Sequence, residues 1–250
     1  MCLIVFAYQY HPEYRLILAA NRDESYQRAT SPAQFWPQTP DMLAGRDNEA
    51  GGTWLGISRR NRFAAVTNFR EGGQQAAELS RGLLTTDFLT SSLSAPAFAN
   101  QLSSQATRYS GYNLLLADDK QLLYCSNRSS TVQQIKPGIH ALSNHRLDTP
   151  WPKSEHVRQE MDELLSSGEV TAKQLIKCMQ RRTPFPDEQL PSTGVGIELE
   201  RTLSPPFITT AGYGTRSTSI FLWKHDGSVT FVEQSYLPDG RKGEIRRYRW

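Results

Sequence analysis

The chain opens on an almost unbroken apolar run, "CLIVFAY", which suits a β-strand buried on both faces and therefore a central one. After the turn signal "QYHPE", the run "YRLILAA" predicts a second strand at hairpin spacing that ends at Asn21-Arg22-Asp23-Glu24. Residues 25–48 are rich in Pro, Gln and polar positions around Phe35 and Trp36, and read as an ordered loop laid over the core. "TWLGIS" and "RFAAVTN", joined by the polar "RRN", predict another hairpin. Leucine and phenylalanine at helical spacing predict helices over 79–92 and 96–105, the second capped by Ser94 with a proline in its first turn. "YNLLLAD", "QLLYCSN" and "GIHALSN" return to strand, and 153–166 and 171–182 predict a second helical pair. "TRSTSIFLWKHDGSVTFVEQSY" then gives two alternating runs around Asp226-Gly227, followed by a basic tail.

Strands, helices, strands, helices and strands in that order predict two stacked sheets with helices on both outer faces, an α+β chain folded as a four-layer α/β/β/α sandwich. No internal repeat interrupts the pattern, and "PFPDEQLPST" reads as a surface loop, so residues 1–250 are expected to form one domain. Composition narrows the function. A net charge of +3 with scattered basic residues lacks the contiguous stripe that nucleic acid requires, which excludes that partner. The opening apolar stretch is too short for a secretory core or a membrane span. Cys2, Cys125 and Cys178, odd in number and widely spaced, fit reduced thiols better than a disulfide frame, so a cytoplasmic protein is expected.

The chemistry-bearing positions start with Cys2. Were Met1 removed, Cys2 would carry a thiol of ordinary pKa ~8.5 and an α-amine of ~7.7–8.0 on one residue, a nucleophile and a base joined by covalent geometry. A small apolar residue on a buried strand is the plainer alternative. The predicted hairpin would bring Asn21-Arg22-Asp23-Glu24 beside the chain start, where Asp23 could hold an ammonium and Arg22 could favour a thiolate; a solvated hairpin end with a local ion pair would look the same. Asn68 and Asn144 end predicted strands and could donate to an oxyanion or simply bond nearby backbone. Arg216, after two glycines, could pair with an internal anion or point outward. Trp36, Trp54, Trp151 and Trp223 read mainly as core. His140 and His145 are five apart, a spacing that matches neither a strand face nor a helical metal site, so no metal is expected.

Seven blocks in order resemble one family: "MCLIVFAY", "LILAANRDESYQRAT", "LAGRDNEAGGTWLGIS", "AAVTNFRE", "SRGLLTTDFL", "YNLLLAD" and "ALSNHRLDTPWPK". The chain resembles the NRDE family, also called the transport and Golgi organisation protein 2 family. That resemblance implies a fold similar to the N-terminal nucleophile (Ntn) hydrolases, whose choloylglycine hydrolase and penicillin acylase group cleaves linear amide bonds. By similarity Cys2 would attack, its amine would shuttle the proton, Asp23 would orient the amine, Asn68 and Asn144 would line the oxyanion region, and Arg216 would support the electrostatics. Asn21, Arg22, Trp54 and His145 are the expected substrate contacts. Those hydrolases carry arginine three residues before the aspartate; here that position is Ala20, and Arg22 is expected on the opposite side of the strand. The implied activity is a Cys2-dependent amidohydrolase of small amide or acyl substrates, acting on non-peptide C–N bonds without a cofactor. The alternative implied by the family is a non-catalytic carrier of haem, lipid or acyl-coenzyme A, with Cys2, His140 and His145 as candidate haem ligands.

Overall fold

The structure is a computed structural model that describes residues 2–73, 77–168 and 170–250. Its strands, in chain order, are β1 (Cys2–Tyr8), β2 (Tyr14–Ser25), β3 (Thr30–Trp36), β4 (Thr39–Asp47), β5 (Leu55–Ser58), β6 (Arg62–Asn68), β7 (Tyr112–Ala117), β8 (Leu122–Ser126), β9 (Gln133–Gln134), β10 (Gly138–Leu142), β11 (Tyr213–Lys224), β12 (Val229–Tyr236) and β13 (Lys242–Arg249). The helices are α1 (Gly82–Thr90), α2 (Ala95–Ser103), α3 (Pro152–Ser166), α4 (Ala172–Cys178) and the short α5 (Ile197–Thr202). Two compact units divide the chain. The first holds the described residues of Met1–Gln27, Lys136–Ser143 and Leu147–Trp250, and the second those of Arg28–Ile135 and Asn144–Arg146.

In the first unit an antiparallel six-stranded sheet runs β10-β1-β2-β11-β12-β13. The apolar run of β1 does lie inside this sheet, between β10 and β2, and every one of its residues is buried. Alternation sorts its side chains. Leu3, Val5 and Ala7, with Ile17 and Ala19 of β2 and Ile220 and Leu222 of β11, pack against Val157, Met161 and Leu165 of α3 and Leu175 of α4. Cys2, Ile4 and Phe6 take the other face, which is also buried. α3 starts on Pro152, which has no amide hydrogen to waste at a helix start. Thr171 and Gln174 close a capping box at the start of α4.

The NRDE letters close the second strand as expected: β2 runs to Ser25, and the motif pairs with β11. The reading of the C-terminal segment is corrected. The basic tail is not a tail but β13, the edge strand beside β12, whose charges keep an open edge from pairing with other chains.

In the second unit an antiparallel seven-stranded sheet runs β3-β4-β5-β6-β7-β8-β9. The loop expected at 25–48 is instead the β3–β4 hairpin. Register shifts between Ser31 and Gln34 and between Phe35 and Trp36 break the polar–apolar alternation, and Pro32 falls at the first shift on an edge strand, where a missing amide hydrogen is tolerated. One face of the sheet carries Met42, Ala44, Ala64, Val66, Leu114 and Leu116 against Leu84 and Phe88 of α1 and Phe98 and Leu102 of α2. Ser94 caps α2, its hydroxyl accepting from the Ala97 amide, as the sequence predicts. Gly52 explains part of the "EAGGTW" block: a Cβ there would stand 2.5 Å from the carbonyl carbon of Gly82, so the chain can pass the start of α1 only with glycine. Each unit is thus a sheet with helices on one face. Among the described residues, no helix is long and apolar enough to cross a membrane.

Candidate functional site

The register of β1 against β2 sets Cys2 directly across from Arg22 and Ile4 across from Ala20. Arg22 therefore shares a strand face with both Cys2 and Ala20, correcting the expectation that it points to the other side; residues two apart on a strand keep the same side. The Arg22 side chain is only 12% exposed, its Nη2 lies 3.7 Å from Glu24 Oε2, and its Nη1 is buried with no hydrogen-bond partner among the described residues. Cys2 is 7% exposed. Burial pushes its thiol pKa up, with the Asp23 charge adding to the rise, while the Arg22 charge and a hydrogen bond from the Asp23 backbone N–H pull it down. The carbonyl of Cys2 accepts from Ser143 Oγ at 3.0 Å. Met1, and with it the question of a free amine on Cys2, lies outside the described residues.

Asp23 is almost fully buried. Its Oδ1 accepts from Thr215 Oγ1 at 2.7 Å, and that hydroxyl in turn accepts from the Ile208 amide at 2.9 Å. Its carbonyl accepts from the Tyr213 hydroxyl at 2.9 Å. Between Thr215 and Ser217 the β2–β11 register shifts, and Arg216 is the extra residue. The bulge lets Arg216 donate from Nη1 to the carbonyl of Ser25 at 2.7 Å. Burial and the neighbouring Arg22 charge lower the Arg216 pKa, while Glu24 and Tyr26 oppose the drop.

Asn21, expected as a substrate contact, is committed to the protein. Its Nδ2 donates to the carbonyls of Met179 and Pro206, both at 2.9 Å, and its Oδ1 accepts from Thr218 at 2.6 Å. These bonds tie β2 to the end of α4, to the segment before β11 and to β11 itself.

The remaining expected residues belong to the second unit. Asn144 Nδ2 donates to the carbonyl of Asn68 at 2.9 Å, and the carbonyl of Asn144 accepts from the Arg70 amide at 2.6 Å. Beneath them Asn113, fully buried, donates to the His145 carbonyl and to Thr67 and accepts from the Tyr124 hydroxyl. The His145 ring packs on Phe69 at 4.9 Å, and burial lowers its pKa, favouring the neutral imidazole. Trp54, just ahead of β5, packs partly buried against the apolar core of this unit.

His140, in the first unit, has both ring nitrogens engaged: Nδ1 with Asp148 at 2.7 Å and Nε2 with the Lys136 carbonyl at 2.9 Å. Among the described residues, no three His, Cys, Asp or Glu side chains gather as a metal site. Thr215, Tyr213, Thr218 and Ser143 were not singled out by sequence. Three of them, Tyr213, Thr215 and Thr218, sit around Arg216 in "GYGTRST", and Ser143 precedes Asn144, the only signals that could have found them.

The chain resembles a Caenorhabditis elegans N-acylethanolamine-hydrolyzing acid amidase ortholog, with a TM-score of 0.55 over 88% of this chain and 92% of that one at 10% identity. It also resembles a C2A mutant of the conjugated bile acid hydrolase from Clostridium perfringens, with a TM-score of 0.50 over 99% and 97% of the two chains at 9% identity. The fold is therefore the Ntn-hydrolase-like α+β class expected from the sequence, and each unit is one sheet-and-helix half of it. The family profile Transport and Golgi organisation 2 matches residues 1–238. Curated relatives include the Transport and Golgi organization 2 homologs of Mus musculus and Homo sapiens, each 34% identical over 100% of this chain and 99% of theirs. The Drosophila melanogaster Transport and Golgi organization protein 2 is 26% identical over 94% of this chain and 92% of its own. The chain belongs to the Transport and Golgi organisation 2 family.

Proposed function

We propose that the protein is a Cys2-dependent amidohydrolase acting on linear amide or acyl substrates. The observation that carries the reading is the pairing of Cys2 with Arg22 across β1 and β2, with the Asp23 amide directed at the sulfur and the Asp23 carboxylate held by Thr215. With Met1 removed, the new α-amine would take the thiol proton while Sγ attacks the substrate carbonyl. The C–N bond would then break, the proton passing to the leaving amine, and water would release the acid from the thioester and restore the thiol. Arg22, whose buried Nη1 has no hydrogen-bond partner among the described residues, would stabilise the thiolate, and Arg216 would add positive charge. The oxyanion role of Asn68 and Asn144 rests on the family resemblance. The two similar structures are named for hydrolysis of an N-acylethanolamine and of conjugated bile acids, both linear amides, which supports the substrate class.

The test is amine release from a long-chain N-acylethanolamide and a glycine-conjugated bile acid by purified protein. Turnover that falls at least about a thousandfold in Cys2→Ala supports the reading. Equal turnover by both proteins, or none from either substrate, counts against it.

One observation favours a second reading. Burial raises the Cys2 thiol pKa and so disfavours the thiolate, which suits a carrier of haem, lipid or acyl-coenzyme A better than a nucleophile. A saturable haem absorbance change lost in Cys2→Ala or His145→Ala would support it. For the compartment we propose the cytoplasm, on the basis of three free and buried cysteines. The two units interleave along the chain, which supports a single folding domain.

A further inference from the structure

Away from Cys2, the second unit contains a cavity of about 320 Å³ lined by α1, α2 and the segment that follows them. Helix geometry builds its walls. Leu84, Asp87 and Ser91 fall three or four residues apart on α1 and its C-cap, and Phe98, Gln101, Leu102 and Gln105 do so on α2 and just beyond it. Leu84, Phe98 and Leu102 are part of the unit's apolar core and make the inner wall.

The neutral polar side chains of Ser91, Gln101 and Gln105 complete the lining together with Tyr109 and Asp87. Tyr109 is buried, its ring edge-on to Tyr112 at 6.0 Å, and it lines the cavity. Asp87 stands at the mouth, open to solvent, and its carboxylate has neither a hydrogen bond nor an ion pair among the described residues. Partial desolvation lifts the Asp87 carboxyl pKa, and the charge of Asp87 adds to the rise that burial causes at Tyr109, so the two groups feel each other. Among the described residues, no lysine or arginine lines the cavity.

The chemistry selects a ligand class. An anion would meet Asp87 as a like charge, and a purely apolar guest would desolvate a carboxylate and supply no partner. A bare divalent cation favours several carboxylates, and the lining offers one, the other side-chain oxygens being the neutral ones of Ser91, Gln101, Gln105 and Tyr109. An organic ammonium satisfies both halves of the lining: its charge answers Asp87, its N–H reaches a hydroxyl, and its hydrocarbon part fills an apolar space at the small end of ligand pockets.

We propose that this cavity binds a small primary amine bearing an aryl or branched alkyl group, with the ammonium at Asp87 and the Tyr109 hydroxyl and the apolar part against Leu84, Phe98 and Leu102. Nothing in this proposal depends on hydrolysis at Cys2.

Calorimetric titration of the full-length protein with phenethylamine, and separately with phenethyl alcohol, tests it. Saturable one-site binding of the amine is expected, with the alcohol weaker by about tenfold or more, the equivalent of one lost charge-assisted bond. Asp87→Asn should weaken the amine by a similar factor and Tyr109→Phe by less, with thermal melting checked for each variant. No saturable binding of the amine, equal binding of the alcohol, or an unchanged affinity in folded Asp87→Asn would overturn the proposal. Should a variant not fold, the amine-against-alcohol comparison on the unaltered protein still decides.

Discussion

At Thr215 one hydroxyl does two jobs. It donates to Asp23 Oδ1 and accepts from the Ile208 amide, so the carboxylate beside Cys2 is fixed by a residue that itself has no freedom to turn. Thr215→Val keeps the shape but strands a buried carboxylate oxygen and a buried amide. We expect a loss of about 2 to 3 kcal/mol in denaturant unfolding, recovered in Thr215→Ser. The cysteines make a second prediction at this scale. Burial lifts Cys125 to about 12, and burial with the charge and hydrogen bond of Glu160 lifts Cys178 to about 11 against a backbone hydrogen bond and Lys177. At Cys2 the Arg22 charge and the Asp23 N–H oppose the burial. Iodoacetamide should therefore label Cys2 first in the native protein, as peptide mapping would show; equal, slow labelling of all three would contradict it. The residue types of this site were legible in the letters, Cys2 and Asp23 above all. Thr215 and Tyr213 were not, because each reaches Asp23 only through pairing of strands 190 or more residues apart.

The strands and their ends decide where those residues point. Register, not the four letters themselves, puts Arg22 on the Cys2 face and Asn21 among the helix-side carbonyls. Gly214 in β11 shows how tight that pairing is: a Cβ there would stand 2.1 Å from the Tyr26 hydroxyl oxygen and 2.6 Å from the Ile208 carbonyl oxygen. Gly214→Ala must move backbone as well as side chain, and should cost about 1 to 3 kcal/mol in the same unfolding measurement.

The end of β10 carries a pH-dependent element. Burial works to lower the His140 pKa, but the bonds to Asp148 and the Lys136 carbonyl outweigh it and the pKa rises. The folded protein then holds a proton more tightly than the unfolded chain. That stability is fully present below the unfolded value of about 6.5 and is lost as pH rises through the higher folded one. Asp148→Asn should flatten the corresponding slope of melting temperature between pH 6 and 8 (about the range where histidine titrates), and an unchanged slope would refute the assignment. An almost unbroken apolar run made β1 readable from sequence, and alternation did the same for the β11–β12 hairpin. The β3–β4 hairpin was hidden by its two register shifts, and β13 by the charge that an edge strand tolerates.

Across the molecule, two helix-on-sheet units share one chain, and the family relatives match it end to end. The layered class could be read from the order of strands and helices, since each sheet presents a face that helices must cover. The division into units could not, because it depends on which distant strands pair. Fold and family are settled at this scale, and chemistry is what distinguishes an enzyme from a carrier on the same scaffold. The measurement that bears most directly on the central claim is the intact mass of the purified protein before and after exposure to a long-chain acyl amide. The account predicts a mass lacking the initiator methionine and a transient acyl adduct that peptide mapping places on Cys2. A retained methionine, with no adduct at Cys2, would contradict it.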